Sequence, residues 1–147
     1  MENTTLNNIL DEAIGLCTSN DDEQGGVILS KVGGEGPYGK RIDYQFVHLR
    51  NANTGLPLAK SLWTADRNEY AKKVIPLFKD GWRHFASFHT HPKWPAIPSK
   101  IDLTELFPGF PINYIYSGID NDLGRFEFDD TDESWYRVEE SEQVSVG

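Results

Sequence analysis

Phe88-His89-Thr90-His91-Pro92-Lys93-Trp94-Pro95-Ala96-Ile97-Pro98-Ser99-Lys100-Ile101-Asp102 is the stretch that decides how this chain is read. Residues 82–89, mostly large side chains, lead into it as a strand. Side chains at i and i+2 of a strand share a face, so His89 and His91 present two imidazoles side by side. Residues 92–98 hold three prolines and form an ordered, irregular loop. Ser99 then starts a short helix to about Leu106. The loop folds the chain back, which allows Asp102 to return toward the histidines from the first turn of that helix. Two neutral imidazoles and one carboxylate, with a fourth position left for water, are the donor set of a catalytic zinc site rather than a structural one. Plainer readings use the same residues. A His-x-His pair on a strand also fits a surface pair, and Ser99 with Asp102 also makes an ordinary helix start, a serine cap with a carboxylate near the positive dipole end. Cap and ligand are compatible, because a capped first turn holds its carboxylate rigidly.

Working outward, Leu6, Ile9, Leu10, Ala13, Ile14 and Cys17 recur at helical spacing, which predicts an amphipathic helix over 4–17 with Thr4 or Asn3 as its cap. A buried strand is expected over 25–30, opened by Gly25-Gly26 where backbones come close. Composition makes 33–39 a loop, and alternation makes 41–49 a strand with one drier face. A loop covers 51–64. A second helix is expected over 66–78, kinked or ended by Pro76. Strands at 112–116, 124–128 and 135–138 complete a mixed α/β fold: a single domain over 1–140, a central mixed β-sheet flanked by helices. Residues 141–147 are expected to be a disordered acidic tail. The N-terminus has neither the basic flank nor the apolar run of a signal peptide, and no run approaches the length that spans a bilayer. With one cysteine, that points to the cytoplasm and to no disulfide framework.

The net charge of −9 argues against a nucleic-acid binder. Its distribution is uneven: residues 1–24 carry six acids and no base, residues 25–118 carry twelve bases and seven acids, and residues 119–147 carry ten acids and two arginines. The basic middle contains the histidine stretch, and Lys93 and Lys100 within it suit an acidic region of a substrate.

The spacing His89-x-His91-Pro92, six residues, Ser99, two residues, Asp102 resembles the JAMM motif of the MPN+ (JAB) zinc metalloproteases, in their small stand-alone prokaryotic form. Glu23, followed by Gly25-Gly26-Val27-Ile28-Leu29, matches the glutamate that family carries before its first strand. The resemblance spans roughly residues 5–128 and implies the MPN/JAB-like fold. Carried over, it implies one zinc ion per chain on His89, His91 and Asp102. It implies Glu23 as the base that serves the attacking water, and Ser99 as the donor to the developing oxyanion.

The same resemblance implies hydrolysis of the bond after the C-terminal glycine of a ubiquitin-like protein, in deconjugation or precursor processing. Its partners are then that protein or its conjugates, and the adenylating and conjugating enzymes of the same pathway. An extended Gly-Gly tail can add a strand to a sheet edge, and the 51–64 loop lies where the family grips substrate. Trp94, Leu58 and Trp63 are the residues expected along such a channel, with core packing the alternative for Leu58 and Trp63. Two other functions use the same residues: hydrolysis of a sulfur-carrier or other small peptide conjugate, and a non-catalytic MPN-type interaction module. His48 and His84 read as packed or surface histidines and Cys17 as core. No nucleic acid and no membrane is expected as a partner.

Overall fold

The computed structural model describes residues 5–37 and 39–139. The first helix, α1, runs Leu6–Cys17. Its cap is Thr5, whose side chain accepts from the Asn8 N–H, so the cap is neither Thr4 nor Asn3, which lie outside the described residues. Strands β1 (Gly25–Gly36) and β2 (Gly39–Leu49) follow, then α2 (Arg67–Lys73), α3 (Ile75–Phe78) and β3 (Arg83–His91). β4 (Ile112–Ser117), β5 (Asp122–Asp129) and β6 (Ser134–Val138) complete a six-stranded sheet of order β2-β1-β3-β4-β5-β6. Every neighbouring pair is antiparallel except β3 and β4, which run parallel. The fold is the expected mixed α/β sheet with helices. Among the described residues no helix is long and apolar enough to cross a membrane. The expected tail at 141–147 lies outside the described residues.

Two local expectations are corrected and one is met. Where a loop is expected over 33–39, β1 continues to Gly36 and β2 begins at Gly39, with Glu35 opposite Lys40 and a register shift after Val32. Glycine weakens a strand but keeps its N–H and C=O, and the adjoining β2 supplies their partners. The second helix is interrupted near Pro76, as expected: Arg67–Lys73, capped by Asp66, and Ile75–Phe78 are separate, with the break at Val74, two residues before the proline. Pro76 has no N–H to bond the Lys72 carbonyl, so the first helix cannot run through it, and proline sits easily in the first turn of a new helix. The helix expected to start at Ser99 winds as a π-turn over Asp102–Leu106 and tightens to a 3-10 turn over Phe107–Gly109.

Both faces of the sheet are covered. Ile9, Leu10, Ala13 and Cys17 of α1 pack on Ile28, Phe46, Ala86, Phe88 and Tyr114. On the other face Val27, Leu29, Val47, Leu49, Trp63 and Val74 form a second cluster. Phe46 and Val47 are therefore both buried, and the alternation of β2 has no wet face at this end. Parallel neighbours need a crossover, and the chain between β3 and β4 supplies it. That crossover carries Ser99 and Asp102 back over the end of β3, on the face opposite α1.

Candidate metal centre

β3 sorts its side chains by face: Ala86 and Phe88 go to α1, while His89 and His91 go to the other side and are 0% and 4% exposed. Gly25 is the residue across from His89. A Cβ at Gly25 would sit 2.2 Å from the Phe88 carbonyl oxygen and 2.8 Å from His89 Cβ, so a larger residue there would push the imidazole strand away. Continuing that antiparallel register places Glu23 across from His91, and the Thr90 N–H donating to the Gln24 carbonyl at 2.8 Å extends it.

Ser99 and Asp102 hold each other reciprocally. Ser99 Oγ accepts from the Asp102 N–H at 3.0 Å, and the Asp102 carboxylate accepts from the Ser99 N–H at 2.9 Å. The helix start read from the sequence is thus present, and it fixes the carboxylate. Asn113, buried on β4, donates to the carbonyls of Phe107 and Phe110 and so anchors the far end of the same turn.

Four atoms of three side chains converge. His89 Nε2 is 3.2 Å from His91 Nε2, and each lies 3.3 Å from an Asp102 carboxylate oxygen. Ligand atoms 2.0–2.1 Å from a tetrahedral ion stand about 3.3–3.4 Å apart. Each of these separations, one to either Asp102 oxygen, has about that size. His91 Nδ1 lies 2.9 Å from the Pro95 carbonyl, which can only accept. Nδ1 therefore carries the hydrogen, and the neutral ring turns its Nε2 lone pair to the centre. Glu23 stands one step further out, 3.9 Å from His91 Nε2. One donor atom each of Glu23, His89 and His91 also falls within 4.8 Å of the others, and this buried group could hold a metal ion. Asp102 lies nearer the two imidazoles than Glu23 does, and either carboxylate could complete the set.

Burial sets the electrostatics. It pushes the Glu23 carboxyl up to about 7, aided by the Asp102 charge and opposed by His91 and the Trp63 backbone N–H. Burial also works against the Asp102 carboxylate, but the facing imidazoles of His89 and His91 and the Ser99 N–H hold it well below the usual range. His89 is held below its ordinary value by burial. His91 is raised: burial opposes its charge, and Asp102, the Pro95 carbonyl and Glu23 together outweigh that. Carboxylates and imidazoles gathered out of water in this way could hold a cation between them.

Beside the centre lies a cavity of about 380 Å³, lined by Trp63, Ala65, Ile101, Asp102, Leu106 and Phe110 among others. Trp63 is core, 5% exposed and stacked 6.2 Å from the His89 ring at 11°, yet it also lines this cavity. Trp94 is exposed on the loop after the histidines, where its carbonyl accepts from Ser117 Oγ. Leu58 is exposed on the 3-10 turn Pro57–Lys60, next to Ala59, whose carbonyl accepts from the Glu23 N–H. Lys93 pairs with Asp21 at 3.4 Å on the surface. His84 meets the Tyr70 hydroxyl at 2.7 Å, and Cys17 is buried in the α1 cluster, so neither belongs to the centre.

One residue escaped the reading of the sequence. Asn51, 4% exposed, donates through Nδ2 to the carbonyls of Glu23 and Leu62, both at 2.9 Å. In sequence it sits in Asn51-Ala52-Asn53-Thr54-Gly55, which reads as a surface turn.

A family model for prokaryotic homologs of the JAB domain matches residues 11–136. No curated protein matches the chain. The chain is similar in fold to the solution structure of a protein from Desulfitobacterium hafniense, with 21% identity and a TM-score of 0.62 over 90% of this chain and 86% of that one. It is also similar to one from Salinibacter ruber, with 22% identity and a TM-score of 0.55 over 94% and 89%. At these identities the likeness is one of fold.

Proposed function

The chain belongs to the family of prokaryotic homologues of the JAB domain, and on that premise we propose that it is a zinc-dependent peptidase or isopeptidase. Its substrate is the bond after the C-terminal glycine of a ubiquitin-like protein. The observation that carries this reading is the buried triangle of His89 Nε2, His91 Nε2 and Asp102 at 3.2–3.3 Å, with Glu23 beside it.

His89, His91 and Asp102 would hold the ion. A bound zinc ion supplies Lewis acidity and a water acidified to about 7. Glu23 takes the proton of the attacking water and delivers it to the departing amine. A carboxyl pushed up to about 7 is suited to both transfers near neutrality. The water oxygen first adds to the carbonyl carbon, giving an oxyanion; the C–N bond then breaks as the amine takes the proton from Glu23, leaving a glycine carboxylate and a free amine. Ser99 Oγ already accepts from the Asp102 N–H, so its own O–H remains to donate to the oxyanion. Such a donor is worth about 10²–10³ in rate.

The 62–65 segment supports a substrate that binds extended. The Ala52 N–H to Thr64 carbonyl and Asp66 N–H to Arg50 carbonyl bonds flank the Asn51–Ala65 bridge. In that pattern the N–H and C=O of Ala65 point away from Asn51, and Ala65 lines the cavity. A glycine tail added as a strand there would pass Trp63 and reach Asp102, with Leu58 and Trp94 on the rim.

The test is zinc content together with cleavage of a ubiquitin-like fusion carrying a Gly-Gly junction. Glu23→Gln is expected to keep zinc and lose turnover by about 10²–10⁴. Full turnover in that variant removes Glu23 as the proton carrier. Tight zinc without cleavage of any Gly-terminated fusion favours a binding module, and products lacking a ubiquitin-like fragment favour a small conjugate instead.

A further inference from the structure

The two histidines are braced unequally. His91 Nδ1 is fixed by the Pro95 carbonyl at 2.9 Å. His89 Nδ1 is buried and, among the described residues, is the one buried side-chain N or O atom with no hydrogen-bond partner. Metal-binding histidines ordinarily gain their orientation from a hydrogen bond at the second nitrogen. The orientation of His89 must come from packing, and the ring stacked on it is Trp63.

What holds Trp63 is therefore decisive. Asn51 accepts from the Thr64 N–H at 3.3 Å and donates to the Leu62 carbonyl at 2.9 Å, so it grips the residues on both sides of Trp63. It also accepts from the Asn53 N–H at 3.0 Å. The same Nδ2 that holds Leu62 holds the Glu23 carbonyl at 2.9 Å. The Trp63 backbone N–H in turn reaches the Glu23 carboxylate.

We propose that Asn51 is the positioning residue of the metal centre: it fixes Glu23 through its main chain and the ring of His89 through Trp63. The two connect at one buried amide, so the clamp and the proton carrier move as a unit with the cavity wall. A loop staple alone would need neither the bond to Glu23 nor a residue stacked on a ligand. The inference rests on the metal site proposed above, and hydrogen exchange of the metal-free protein separates the two.

The experiment compares wild type, Asn51→Ala, Asn51→Asp and Tyr114→Phe. The last removes a buried hydroxyl that accepts from Arg125 on the α1 face. Zinc affinity is read by competition with a chromophoric chelator, below the unfolding transition of each variant. Asn51→Ala is expected to weaken zinc about 10–100-fold, the range seen for lost outer partners. In the metal-free protein its Glu23 and Trp63 amides are expected to exchange at least about tenfold faster, with β4 unchanged. Tyr114→Phe should change neither readout. If Asn51→Ala fails to fold, Asn51→Asp keeps the acceptor for Asn53 and Thr64, loses both donations, and should still weaken zinc. Zinc affinity within about twofold of wild type, or unchanged exchange at Glu23 and Trp63, overturns the inference. A wild-type chain that binds no zinc overturns the metal reading itself, and the exchange data still decide whether Asn51 holds Glu23 and Trp63.

Discussion

The two faces of β3 solve opposite problems with the same backbone. Toward α1, Ala86 and Phe88 pack with Ile9, Leu10, Ala13 and Cys17. There burial alone is favourable, worth about 1.5–3 kcal/mol for a large side chain. On the opposite face Ser87, His89 and His91 are equally buried, and burial of polar groups costs free energy unless each finds a partner. The surrounding structure supplies partners: Asn113 for Ser87, Pro95 for His91, Asp102 for both histidines. Desolvation acts on both sides with different consequences. It pushes the Cys17 thiol up to about 12, which leaves it inert near neutrality. It pushes Glu23 up to about 7, where a carboxyl can both accept and give a proton.

The largest test of this contrast is His89→Ala, which is expected to abolish stoichiometric zinc in metal analysis while α1 stays packed. Zinc retained at the wild-type level would break the assignment of the polar face. Next in size, Phe88→Ala on the apolar face should cost about 3–5 kcal/mol in denaturant unfolding. The folded fraction should still take up zinc, because Phe88 points away from the site.

A smaller effect follows from Glu23 in the metal-free protein. Its carboxyl is raised from 4.5 to about 7, so folding is coupled to a bound proton. The associated stability is fully present below 4.5 and is lost as the pH rises through about 7. With chelator present, Glu23→Gln should then exceed wild type by on the order of 2–3 kcal/mol at about pH 8 and converge with it in acid. A constant difference across that window would mean that the carboxyl is not desolvated. Smallest is Thr5→Ala at the α1 cap, expected to cost about 1 kcal/mol in thermal unfolding and to leave zinc affinity untouched.

Much of the centre was legible because its signals are local. His89 and His91 share a face by strand periodicity, and Ser99 with Asp102 forms a reciprocal cap by helix geometry. The break near Pro76 was equally local. The glycine segment at the end of β1 was not legible as strand, because strand pairing depends on a partner and composition does not announce one. Trp63 was open between channel and core, and it proves to be buried while lining the cavity. Asn51 carried no signal at all, since a buried asparagine and a surface turn have the same letters.

By itself the sequence determined which donors exist and how adjacent ones point, since backbone geometry sets spacing over a few residues. The convergence of distant groups was decided only in three dimensions. The β1–β3 register brings Glu23 to His91. The crossover to a parallel strand returns Asp102 over both imidazoles. The Asn51 amide joins Glu23 to the chain around Trp63. Each of these contacts depends on pairing between segments far apart in the chain, and no local rule fixes such pairing.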